Sequence, residues 1–107
     1  MEIVLQNHRA HVSDGMRRKV EVMVTRTALR FRGSVKAIVR FEQDGPMRRV
    51  EVELHTSRKA PHIAVGEGRF FGPASAQALL RLAAQLRRDK AARKARTHRP
   101  PSARGRR

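Results

Sequence analysis

The chain has 107 residues, with 25 Lys+Arg against 9 Asp+Glu for a formal net charge of +16, and it contains no Cys, Trp or Tyr. That length supports one domain with a modest core, since a chain below roughly 150 residues buries only about 60–70% of its unfolded surface, and it leaves little room for a second, catalytic domain. The missing cysteines remove disulfides, thiolate metal sites and a cysteine nucleophile; no apolar stretch nears the roughly 20 residues of a membrane span, and the opening residues lack the basic and long apolar regions of a signal peptide.

The chain therefore reads as soluble and cytoplasmic. Glu2 to Asn7 (EIVLQN) suits an opening strand. Ser13 is placed to cap a helix, with Asp14 favourably in its first turn. From there Met16, Val20, Met23, Val24, Thr27 and Phe31 share one face at 100° per residue. The β-branched run Val20 to Val24 argues for a strand instead, but the longer helical period is the stronger pattern and predicts a helix.

Ser34 to Gln43 alternates, with Val35, Ala37, Val39 and Phe41 opposing Lys36, Ile38, Arg40 and Glu42. Asp44-Gly45-Pro46 supplies a turn, and Arg49 to Thr56 alternates again, so the two runs form a long antiparallel hairpin. Pro61 to Val65 reads as a short fourth strand ending at Gly66 and Gly68. From Pro73 to about Arg96 the composition turns to Ala, Leu, Gln, Arg and Lys, with Ala78, Leu79, Leu82, Ala83 and Leu86 as a buried stripe and Phe71 packing at its entry. The order β-α-β-β-β-α predicts a two-layer α+β domain over residues 1 to 96. Two helices cover one face of an antiparallel four-stranded sheet, a layout like that of double-stranded-RNA-binding domains.

Residues 97 to 107 (THRPPSARGRR) hold no aliphatic side chain larger than Ala and read as a disordered basic tail. That tail is either a solvated extension or an electrostatic arm on a polyanion. Residues 87 to 107 carry ten Lys/Arg and one acid, a net +9, so the preceding 86 residues are basic too. Such an excess points first to nucleic acid and second to an anionic membrane surface.

Charge also separates by face. The open sheet face balances Lys36, Arg40 and Arg49 against Glu42, Glu51 and Glu53 and offers no aromatic ring for base stacking, Phe41 falling inside. The helices are different. Lys19, Arg26 and Arg30 run along one border of the first helix, with Arg17, Arg18 and Arg32 on the other flank. Arg17, Arg18 and Lys19 sit near the positive end of a helix dipole, a cost that a polyanionic partner offsets. On the second helix Arg81 and Arg88 lie away from the leucine stripe, beside Gln77 and Gln85, while Arg87, Arg88 and Lys90 suit the end of the helix dipole.

Catalytic constellations are missing by comparison. His8 and His11 lack the further ligands of a metal shell, and His55 and His62 read as ordinary sheet residues. Gly66-Glu67-Gly68 has no Walker lysine, and Glu51 with Glu53 reads as cross-strand pairing with basic neighbours.

Taken together, Val12-Ser13-Asp14 through Arg17 and Val20-Glu21, Phe31, the VEVELH strand, Glu67-Gly68, Leu82 and the run Gln85-Leu86-Arg87-Arg88-Asp89-Lys90 resemble the ribosome hibernation-promoting factor family, also called ribosome-associated inhibitors or sigma-54 modulation proteins. The resemblance spans nearly all of residues 1 to 96 and marks a short, divergent form. Met23 and Leu29 stand where lysines are usual, and Phe70 to Ser75 replaces an acidic, tyrosine-containing run. The resemblance implies a non-enzymatic protein without cofactor or small-molecule substrate. It would dock on the small ribosomal subunit, meet ribosomal RNA with its helices and block the mRNA and tRNA channel of idle ribosomes. Lys19, Arg26, Arg30, Arg81, Arg87, Arg88 and Lys90, with Arg17 and Arg18, are the expected RNA contacts. Lacking the dimerisation domain of longer members, the chain is expected to be a monomer off the ribosome. Two other readings stay open: a nucleoid-type nucleic-acid binder driven by the tail, and a module that modulates a transcription or stress factor.

Overall fold

The computed structural model describes residues 1–57 and 60–97. Six elements follow in the expected order: β1 (Glu2–His8), α1 (Asp14–Leu29), β2 (Ser34–Asp44), β3 (Met47–Thr56), β4 (His62–Gly68) and α2 (Phe71–Thr97). The four strands form one sheet in the order β1-β2-β3-β4. The expected disordered tail falls on residues 98–107, outside the described residues, and Thr97 is the last residue of α2.

One feature of the sheet corrects the sequence reading. β2 pairs antiparallel with β3, and β3 with β4, but β1 pairs parallel with β2, placing Ile3 beside Ala37 and Leu5 beside Val39. The sheet is mixed rather than antiparallel. The cause is the 16-residue α1, which carries the chain back along the sheet so that β2 starts at the end where β1 started, as a parallel crossover requires.

Local chemistry sets the element ends. Ser13 Oγ accepts the Met16 N–H at 3.2 Å, capping α1, and Asp14 occupies the first turn. The helical period prevails over the β-branched run because Val20, Val24 and Ala28 are buried while Val22 faces solvent. Phe31 lies just past the helix, whose last residue is Leu29, although its N–H still reaches the Ala28 carbonyl at 3.0 Å. Gly45, with φ +59, followed by Pro46, fits a type II′ turn whose twist matches the β2–β3 hairpin.

The core lies between the sheet and the helices. Val39, Phe41, Val50, Val52 and Leu54 from the sheet meet Val20 and Val24 of α1 and Ala78 and Leu82 of α2. Phe71, expected at the entry of the second helix, is its first residue; its ring stands edge-on to Phe41 at 5.4 Å. Gly66 explains how closely the layers approach. A β-carbon at that position would run into the Ala74 carbonyl and the Ala78 amide of α2, so β4 and α2 touch backbone to backbone.

Helix α2 is longer than the strand it covers. Its 27 residues span roughly 40 Å at about 1.5 Å each, against roughly 23 Å for the seven residues of β4. Asp89 lies level with His62, the first residue of β4, at 3.5 Å. The last two turns, from Lys90 onward, therefore project past the sheet.

Candidate nucleic-acid interface

The open face of the sheet is committed to its own charges. Arg40 Nη1 donates to Glu51 Oε2 at 2.6 Å and to Glu53 Oε1 at 3.1 Å, and His55 Nε2 lies 2.6 Å from Glu53 Oε2. Arg49 pairs with Glu42 at 3.6 Å and Lys36 with Glu2 at 4.0 Å. The hydrogen bond to Arg40 is the main influence that holds the Glu53 carboxyl below its ordinary range, and the same bond raises the Arg40 guanidinium. The cross-strand pairing expected for Glu51 and Glu53 is present, and this face has little positive charge to spare for phosphates.

The helix layer is unlike the sheet. Met16 of α1 approaches Gly72 of α2, which fixes the sides on which the two helices meet. Helical spacing then places Lys19, Arg26 and Arg30 along the α1 border of this seam, and Arg87 and Lys90 along the α2 border. All five are exposed. Arg30 caps the C-terminal end of α1, where a cation complements the dipole, and its guanidinium lies 5.9 Å from the Phe31 ring. Arg30 and Lys90 line one cleft, so the two rows converge at the C-terminal end of α1.

The remaining candidates are dispersed. Arg18 is exposed on the outer face of α1. Arg17 is half-buried, and its Nη1 donates to Asn7 Oδ1 at 3.0 Å, tying the start of α1 to the end of β1. Arg81 Nη1 donates to the Val65 carbonyl at 2.7 Å. Two glutamines flank it: Gln85 Nε2 donates to the Ile63 carbonyl at 2.9 Å, and Gln77 Oε1 accepts the Glu67 N–H at 2.8 Å. These side chains, one per helical turn, satisfy the outer edge of β4 where a fifth strand would pair. Arg88, seven residues from Arg81, is exposed on that same side, away from the seam.

Arg93 is not among the contacts expected from the sequence, and neither is Arg32, which the sequence places on the flank of α1. Both line the cleft with Arg30 and Lys90. The sequence does carry a signal for Arg93. The stripe Leu79, Leu82, Leu86 continues at the same spacing into Asp89 and Arg93, so the inward face of α2 turns from apolar to charged where the sheet ends.

Fold and site together define a two-layer α+β domain with a neutralised sheet face and a basic helix seam. Among solved structures it is similar to a ribosomal subunit interface protein from Coxiella burnetii, with TM-score 0.73 and 16% identity over 85% of this chain and 99% of that one. It is also similar to the N-terminal domain of Protein Y from Thermus thermophilus, with TM-score 0.72 and 24% identity over 82% of this chain and 98% of that one. No family model matches the chain, and no curated protein sequence matches it. The likeness is one of fold: the chain has the fold of these two proteins, as the sequence resemblance implied.

Proposed function

We propose that this protein is a non-enzymatic, cytoplasmic translation inhibitor that docks as a monomer on the small ribosomal subunit and fills the path of mRNA and tRNA. The observation that carries this reading is the separation of charge between faces: the sheet pairs its arginines internally, while five exposed cations converge along the α1/α2 seam. The fold shared with proteins described as ribosomal subunit interface protein and Protein Y favours a ribosomal polyanion over other nucleic acid. The mechanism is occlusion. Lys19, Arg26, Arg30, Arg87 and Lys90 hold phosphates of ribosomal RNA, the rigid layers occupy the channel, and the chemistry requires no cofactor and breaks no bond. Arg18 and Arg88 extend the positive field at the margins, whereas Arg17 and Arg81 chiefly brace the fold.

A translation assay with purified ribosomes tests this reading. The protein is expected to inhibit initiation, and the double variant R26E/R87E to lose that inhibition. Small subunits preloaded with mRNA and initiator tRNA are expected to bind it at least about tenfold more weakly than empty ones, one tenfold step being about 1.4 kcal/mol. Equal binding to loaded and empty subunits would place the protein outside the channel.

A further inference from the structure

Where α2 passes the end of the sheet, its projecting turns and the C-terminal end of α1 enclose an open cleft of about 790 Å³. Among the described residues, four cationic side chains, Arg30, Arg32, Lys90 and Arg93, line it against one carboxylate, Asp89. That carboxylate lies 3.5 Å from His62 Nε2, at the start of β4. The cleft also has an apolar side, formed by Leu29, Phe31 and Leu86. The partial negative charge at a helix C-terminus is about half an elementary charge, well below that of the four cations, so the cleft is positive overall. Its volume falls within the range typical of small-molecule sites, and it combines cations for an anionic group with an aromatic edge for a ring. The change of the α2 stripe from Leu82 and Leu86 to Asp89 and Arg93 places these charges on the inward side of the helix, facing the cleft.

We infer that this cleft binds a nucleoside phosphate, with the phosphates held by Arg30, Arg32 and Lys90 and the base against Phe31. The ligand is either a free nucleotide or one unit of single-stranded RNA. The cleft shares Arg30 and Lys90 with the proposed seam contacts, whereas Arg32, Phe31 and His62 lie outside them, so variants at Arg32 and Phe31 test the cleft apart from ribosome docking.

Titration of the isotopically labelled full chain at physiological salt tests it, with ADP, inorganic pyrophosphate and a single-stranded RNA trinucleotide as probes. ADP or the trinucleotide is expected to give saturable amide shifts centred on Phe31, Gly33 and His62, and the tighter of the two names the source. Pyrophosphate, which has no ring, is expected to bind at least about fivefold more weakly. Arg32→Glu is expected to weaken ADP by about tenfold or more, the size expected for loss of one charged hydrogen bond. Phe31→Leu, which keeps the apolar filling, is expected to erase the preference for ADP over pyrophosphate. Lys36→Glu, on the open sheet, is expected to leave binding unchanged. Shifts that do not saturate, shifts spread evenly over both helices, equal binding of pyrophosphate and ADP to the unmodified protein, or an Arg32→Glu variant that binds normally would each overturn the site.

Discussion

At Gly66 the backbone of α2 comes so close to β4 that no side chain fits: a β-carbon there meets the Ala74 carbonyl and the Ala78 amide, which belong to a helix backbone that cannot yield locally. Gly66→Ala is expected to destabilise the protein by about 3 kcal/mol or more, at the upper end of overpacking costs, as read by urea unfolding. Glu53 makes the complementary polar case. Its carboxyl lies below its ordinary pKa because Arg40 donates to it, so its stabilisation is present above the ordinary carboxylate range and is lost as pH falls through the lower folded value. Glu53→Gln is expected to cost about 1 kcal/mol near neutral pH, and the gap from the unmodified protein is expected to narrow as pH falls below the ordinary carboxylate range. A constant gap across that range would show that the Arg40 pairing contributes nothing specific to the charged form. The pairing of Glu51 and Glu53 with Arg40 was legible in the alternation of two adjacent strands. The role of Gly66 was not, because a strand-ending glycine and a glycine under a helix look alike without the partner element.

Elements show the same division. β2, β3 and the leucine stripe of α2 follow from period 2 and period 3.6, since each has one buried face and enough length for the pattern to repeat. The direction of β1 depends on where α1 leaves the chain, a three-dimensional fact that its own seven residues do not encode, and the expectation of an antiparallel sheet failed there. Arg81, read from the sequence as an RNA contact, turns out to donate to the backbone of β4 between Gln77 and Gln85. Side chains spaced one turn apart on α2 thus do for the edge of β4 what a neighbouring strand would do. Replacing both Gln77 and Gln85 by Ala is expected to cost about 1 to 2 kcal/mol and to promote concentration-dependent self-association through the freed edge. Sedimentation velocity and urea unfolding measure both effects. A double variant that stays monomeric at unchanged stability would mean that water caps this edge equally well.

On the scale of the whole molecule, the charge of the described residues separates into an internally paired sheet face, a basic seam between the helices and a positive cleft where α2 outruns the sheet. Strand alternation and helix spacing made the first legible in the sequence, along with the α1 row of the second; on α2 they pointed to Arg81 and Arg88, which lie away from the seam. They missed the cleft, which exists only because the 27-residue helix is longer than its strand. The central claim is that the seam docks on a shaped RNA surface and is more than a diffuse positive charge. Co-sedimentation with small ribosomal subunits across a salt series tests it most directly. Five phosphate contacts give a slope of log affinity against log salt of roughly −3.5 to −4.5. The unmodified protein is expected to stay on small subunits at salt that strips it from unstructured RNA, Lys36→Glu to behave like it, and R26E/R87E to leave at every salt concentration with a shallower slope. Binding that fades in parallel on subunits and on unstructured RNA, or an R26E/R87E variant that stays bound as well as the unmodified protein, would contradict the account.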